Sequence, residues 1–154
     1  MNKLFTMSTY TQIIYQIVFG TKGRERVLSK SGRGELFMYI AGVLKNKKCH
    51  LYAINGVEDH IHIVTHLHPA VALSDLVKDI KLSTTVLIKQ NNLFPNFAGW
   101  QEGFGAFTYA PDQKHRVIAY VQNQEEHHRR KSFLEEYREL LNEFEVGYNE
   151  KYLP

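Results

Sequence analysis

Ala53-Ile54-Asn55-Gly56-Val57-Glu58-Asp59-His60-Ile61-His62-Ile63-Val64 carries the end of one strand, a turn and the start of the next. Side chains alternate across a strand with a period of two, so His60 and His62 share one face while Ile61 and Ile63 share the other. A strand that places two imidazoles on one face and apolar residues on its back is suited to hold a metal ion above a core. Gly56 to Asp59 supplies the turn polarity, His50 to Asn55 the preceding strand and His60 to Leu67 the following one. The segment therefore reads as a β-hairpin with the histidine pair at the start of its second arm.

The pattern continues on both sides. Upstream, Tyr10 to Phe19 is rich in β-branched and aromatic residues and reads as a buried strand. Thr21 to Arg26 is a basic loop. From Arg33 to Lys48, Leu36, Ile40, Val43 and Leu44 follow helical spacing, with lysines at the end the helix dipole favours. Downstream, Ser74 is placed to cap a helix with the stripe Leu76, Val77, Ile80, Thr84 and Leu87. Asn91 to Gly99 is a loop, and Gly103 to Tyr109 fits a fourth strand. Pro111 suits the first turn of a helix running to about His128. Ser132 with Glu135 forms a capping box for a last helix carrying Phe133, Tyr137, Leu140, Leu141 and Phe144 on one side. The order predicts an α+β fold: a four-stranded antiparallel sheet with helices packed on one face.

At 154 residues the chain is expected to form one domain. It divides into a sheet core (1–110), a helix bearing Tyr120 (111–131) and an acidic helix and tail (132–154). The single cysteine, Cys49, excludes an intramolecular disulfide framework, fits a reducing cytoplasm and reads as an apolar filler. Met1 to Met7 lacks the apolar run of a signal peptide, and no run approaches a membrane span. The net charge of +3 conceals an asymmetry. Residues 132–154 hold six acids and two bases, so the remainder holds seventeen bases against ten acids. Such a body suits a polyanion, nucleic acid being the commonest. By composition Lys22, Arg24, Arg26, Lys45, Lys47, Lys48, Arg129 and Arg130 are the candidate DNA contacts.

Tyr120 and Gln124 lie one helical turn apart, flanked by Val117, Ile118 and Val121, so their face docks on something apolar. If it docks beside His60 and His62, two imidazoles, a carboxamide oxygen and a phenol are gathered. Two imidazoles and one amide oxygen leave open coordination positions, as a catalytic metal requires. A phenol with a pKa of about 10 becomes a useful nucleophile toward a phosphodiester when a divalent ion polarises the phosphate. Asp59 is a further ligand or a partner that orients the pair. Each motif alone has a plainer reading: a half-buried histidine pair, a core tyrosine, and a solvated basic end over Glu125 to Lys131. A closed structural zinc site is disfavoured by the lack of cysteine partners.

Taken together, the residues resemble the single-tyrosine HUH (His-hydrophobic-His) transposases of the smallest bacterial insertion sequences, including the REP-associated tyrosine transposases. The resemblance rests on Ile17-Val18-Phe19, Ala53-Ile54-Asn55-Gly56 with Asp59-His60-Ile61-His62, Asp75 to Lys81, Trp100 to Phe107 and Tyr120 to His128, in that order and spacing. It implies a ferredoxin-like HUH nuclease fold, His60, His62 and Gln124 as metal ligands, and Tyr120 as the nucleophile forming a 5′-phosphotyrosine. It also implies a homodimer, commonly with the tyrosine helix of one subunit completing the histidine pair of the other, that cuts and rejoins single-stranded DNA beside hairpins. Phe104 stands where many members have tyrosine, and Thr84-Thr85 where serines are frequent; neither touches the expected chemistry. The metal implied is Mg2+ or Mn2+, and imidazole donors favour manganese over the harder magnesium. The alternative is a repurposed protein that binds DNA hairpins without cutting.

Overall fold

The computed structural model describes residues 8–154, and Met1 to Met7, with the signal-peptide expectation that falls there, lie outside the described residues. Four strands, β1 (Ile14–Gly20), β2 (His50–Gly56), β3 (His60–His66) and β4 (Gly105–Tyr109), form one sheet in the order β2-β3-β1-β4. Every neighbouring pair is antiparallel. The helices are α1 (Lys30–Asn46), α2 (Leu73–Gln90), α3 (Lys114–Gln122), α4 (Gln124–His127) and α5 (Phe133–Glu143). This is the expected α+β class.

Both faces of the sheet are covered, not one. On the first face Ile17, Phe19, Ile61 and Ile63 join Leu36, Ile40 and Leu44 of α1 and Leu76, Val77 and Ile80 of α2 in the main core. On the second face two smaller clusters form. Val18 and Phe107 meet Phe133, Tyr137, Leu140 and Leu141 of α5, while Ile14, Ala53 and Val64 meet Val117 and Val121 of α3. Side-chain alternation puts His60 and His62 on this second face, between the two clusters. The helices that follow residue 111 thus roof the histidine pair.

Three local expectations are corrected. Helix α2 begins at Leu73 with Ala72 at its cap position, because the first helical hydrogen bond runs from Leu76 N–H to Ala72 O. Ser74 therefore lies inside the first turn and cannot cap. In the same helix Ile88, not Leu87, ends the buried stripe. The expected continuous helix from Pro111 to His128 starts as a single 3-10 turn, Pro111–Gln113, and is interrupted at Asn123 (φ −98°, ψ 22°). There the Asn123 N–H is shared between Ala119 O (3.1 Å) and Tyr120 O (3.3 Å). The kink turns Gln124 fully into the interior. The cap of α5 is as expected: Ser132 Oγ accepts from Glu135 N–H at 3.2 Å.

One glycine sets how closely the roof sits. A Cβ on Gly20 would lie 2.5 Å from the Phe133 ring and 3.0 Å from Asp59 O. The Phe133 ring is itself stacked on His60, with centroids 4.1 Å apart and planes 9° from parallel. Gly20→Ala is expected to lose about 1–3 kcal/mol, the usual cost of overpacking, measurable as a lower urea midpoint.

Candidate active site

His60 and His62 are fully buried, as their strand position predicts. Each ring is fixed through Nδ1. Asp59 Oδ1 sits 2.7 Å from His60 Nδ1, and Gln16 Oε1 2.7 Å from His62 Nδ1. Neither a carboxylate nor a carboxamide oxygen carries a proton to give, so each ring donates from Nδ1 and turns Nε2 toward the space under α3 and α5. Gln16 is oriented in turn, its Nε2 donating to Tyr109 OH at 2.7 Å. It lies on the second face of β1, two residues from Val18, which pairs directly with His62.

Helix α3 brings Tyr120 to the pair within one chain, the rings of Tyr120 and His62 having centroids 6.0 Å apart. Residues the sequence reading left out complete the site. Glu136, 1% exposed, projects from α5 into the middle of the imidazoles. Its Oε1 lies 3.2 Å from His60 Nε2, 2.9 Å from His62 Nε2 and 3.1 Å from His128 Nε2. Its Oε2 accepts a hydrogen bond from the Tyr120 hydroxyl and another from Gln124 Nε2 at 3.4 Å. His127 Nε2 is 3.3 Å from the Tyr120 hydroxyl. A cleft of about 230 Å³, lined by Tyr120, His127, Glu136 and Arg116 among others, leads from solvent to the phenol.

The electrostatics follow from this packing. Burial pushes Glu136 up, but the surrounding imidazoles overcome it and hold the carboxyl far below its usual range. Burial lowers the His62 pKa to about 4, against the pull of the neighbouring Glu136 charge. Burial also pushes His60 down, yet the hydrogen bond to Asp59 and the charges of Glu136 and Asp59 outweigh it and hold the ring above its usual value. Burial, then the Glu136 charge, holds the Tyr120 phenol well above its ordinary pKa. Two buried polar atoms, His60 Nε2 and Gln124 Oε1, have no hydrogen-bond partner among the described residues. Both belong to the ligand set expected from the sequence.

The reading of Glu125 to Lys131 as a solvated basic end holds for Glu125, Glu126, Arg129 and Arg130, which are exposed, and is corrected for the histidines between them. His128 is packed edge-to-face on His60 at 4.4 Å, and its side chain is only 7% exposed. Buried Arg33 of α1 donates to Leu28 O (2.7 Å) and Glu125 Oε1 (3.2 Å), anchoring α4 over the site. The expected basic contacts separate into two groups. Lys22, Arg24 and Arg26 follow β1 beyond Gly20, which pairs with His60, and Arg129 and Arg130 follow His128. Lys45, Lys47 and Lys48 precede His50, which pairs with His66 at the other end of β3. Six strand steps, about 20 Å, separate these ends. Lys47 is also held by Asp79 at 2.6 Å, and Arg129 by Glu126 at 3.2 Å.

Comparison with known proteins agrees with this architecture. A solved structure of a candidate transposase from Deinococcus radiodurans R1 is 20% identical over 77% of this chain and 95% of its own, with a TM-score of 0.59. A REP-associated tyrosine transposase bound to a REP hairpin is 17% identical over 76% of this chain and 72% of its own, with a TM-score of 0.57. No curated protein matches the chain. Among the described residues no helix is long and apolar enough to cross a membrane. The family model described as "Transposase IS200 like" matches residues 9–124, and the chain belongs to that family.

Proposed function

We propose that this chain cuts and rejoins single-stranded DNA beside hairpins, with Tyr120 as nucleophile and a divalent metal at the histidine pair. The observation that carries the reading is the convergence of His60, His62, Gln124 and Tyr120 around Glu136 in one chain, where two ligand atoms are buried without partners. Those orphaned atoms fit a cation, since a buried polar atom left unpaired costs free energy that a ligand bond recovers. His60, His62 and Gln124 would hold Mg2+ or Mn2+, which when bound polarises the scissile phosphate and stabilises the departing oxygen. The Tyr120 hydroxyl already donates to Glu136 Oε2. As the phenolic oxygen attacks phosphorus it gives up its proton to solvent, to which the cleft leads, while the Glu136 carboxyl, held far below its usual range, orients the hydroxyl rather than keeping that proton. The bond from phosphorus to the 3′ oxygen of the departing strand breaks, that oxygen takes up a proton, and the other strand stays attached as a 5′-phosphotyrosine. One phosphoester replaces another, so the linkage is preserved for rejoining by a free 3′ hydroxyl.

Hairpin DNA as the partner is supported by the basic body of the chain and by the hairpin carried by a structural neighbour. We assign a homodimer on the family resemblance, with Tyr120 in the described chain facing its own histidines. Asp59 acts by orienting His60 rather than by ligation, its carboxylate being engaged at Nδ1. The test is a denaturing gel of the protein with labelled hairpin-flanked single strands from beside its gene, in Mn2+, Mg2+ or chelator. A metal-dependent covalent adduct supports the reading; binding with no adduct in either metal means a repurposed, non-cleaving hairpin-binding protein.

The two basic groups give a separate expectation. Neutralising Lys22, Arg24 and Arg26 together weakens DNA binding and lowers the slope of log K against log salt by about one for each phosphate these side chains no longer neutralise. Neutralising Lys45 and Lys48, some 20 Å from the histidine pair's end of β3, leaves that slope unchanged. Fluorescence anisotropy titrations at several salt concentrations measure both.

A further inference from the structure

We infer that His128 and Glu136 are metal ligands, so that three imidazoles and one carboxylate join Gln124 in holding the resting centre. The inference deepens the proposed function and rests on its metal site.

His128 repeats the device seen at the strand histidines. Its Nδ1 lies 2.7 Å from Lys131 O, a carbonyl that only accepts, so the ring donates from Nδ1 and directs Nε2 inward. Three rings on two separate elements are therefore anchored by Asp59, Gln16 and Lys131 in the same sense. Their Nε2 atoms point at one spot, where Glu136 Oε1 lies 2.9–3.2 Å from all three. The four donor atoms all lie within 4.8 Å of one another. Imidazole Nε2 atoms whose Nδ1 sides are anchored elsewhere and a carboxylate oxygen are the donor types that a divalent ion takes, and burying so many at one spot is costly unless they are paired or coordinated. Ligand bonds of about 2.1 Å place tetrahedral donors roughly 3.4 Å apart. The Glu136 contacts are only a few tenths of an ångström shorter, so a small withdrawal of the carboxylate admits an ion.

The surroundings join these donors to the set expected from sequence. Gln124 presents its NH2 to Glu136 Oε2, and its own Oε1 is unpartnered. The two Glu136 oxygens thus have different tasks: Oε1 faces the imidazoles and Oε2 accepts from the Tyr120 hydroxyl. Three imidazoles and a carboxylate would saturate an ion that takes four donors, such as Zn2+, whereas one that takes six, such as Mn2+, would have room besides for Gln124 Oε1 and a phosphate oxygen. The donor set also explains why α5 is tied so closely to the sheet. Phe133 stacks on His60 and Leu140 packs in the cluster around Val18, one turn to either side of Glu136.

The test is a titration of the metal-free full chain with Co2+, followed by its visible absorption and by competition with a chromophoric chelator. It is applied to the wild type, Glu136→Gln, His128→Asn and Gln124→Ala. Circular dichroism and thermal melting in chelator identify the folded variants. The expected result is one ion per chain, with affinity at least tenfold weaker in Glu136→Gln and in His128→Asn, and weaker also in the reference variant Gln124→Ala. If Glu136→Gln does not fold, His128→Asn at the rim of the site decides alone. Wild-type affinity and absorption in the folded variants would overturn the assignment. DNA adduct formation is read separately on the gel: loss of the ligand assignment with an intact adduct leaves the proposed function standing, and normal metal binding with no adduct does the reverse.

Discussion

Tyr120→Phe binds hairpin DNA with wild-type affinity and forms no covalent adduct. The substitution removes one oxygen and leaves the ring that packs with Ala53, Val117 and Val121 in place. In covalent enzymes loss of the nucleophile costs on the order of 10⁶ in rate, so the adduct band falls below detection. The rest of the machinery persists, because His60, His62 and Gln124 are positioned by β3 and by the kink at Asn123, not by the phenol. The stability cost is about 1.5–3 kcal/mol, since Glu136 loses a hydrogen-bond donor while the imidazoles still face its other oxygen. A denaturing gel, an anisotropy titration and a urea melt measure the three quantities. An adduct in Tyr120→Phe transfers the nucleophile to another residue. Loss of DNA affinity means instead that the hydroxyl serves binding.

The sheet and the histidine pair were legible because both follow from alternation. Ile61 and Ile63 enter the core and His60 and His62 the opposite face, as a period of two demands. Asp59 was legible as a neighbour of the pair, and Cys49 as a buried filler. The second half of the site was hidden by composition. Glu136 belongs to a segment with six acids, and averaged over that segment it looks solvated. Helical spacing carries the opposite signal. Glu136 stands three residues after Phe133 and four before Leu140, inside the apolar stripe of α5, and an acid inside such a stripe must be buried and paired. His128 was missed in the same way, among the charges of Glu125 to Lys131. It falls four residues after Gln124 and eight after Tyr120, which would share a face in the continuous helix that the sequence predicts. Gln16 carried a fainter signal: a lone amide on the His-facing side of a strand whose other residues are apolar. The kink at Asn123 and the covering of both sheet faces depend on how α3 and α5 dock, and no single segment encodes that.

His62→Gln separates the metal centre from the nucleophile. It keeps a polar side chain of similar reach but removes the Nε2 lone pair that faces Glu136 at 2.9 Å and the Nδ1–H that Gln16 accepts. Metal affinity is expected to fall by more than about 100-fold, beyond the 10–100-fold loss typical of a partner that only orients a ligand. Adduct formation disappears with it, although Tyr120 is untouched. The comparison that makes the result specific is Gln16→Leu. That change leaves every ligand atom present but releases His62 Nδ1, and Tyr109 OH loses its hydrogen bond as well. Its affinity falls within the 10–100-fold range, and raising the Mn2+ concentration restores the adduct. High metal does not rescue His62→Gln to the same extent, because a missing donor cannot be supplied by mass action at the same geometry. Equal rescue of the two variants would mean that His62 orients the site without binding the ion. The two imidazoles of β3 would then be unequal, with His60 and the side chains under α4 and α5 carrying the metal.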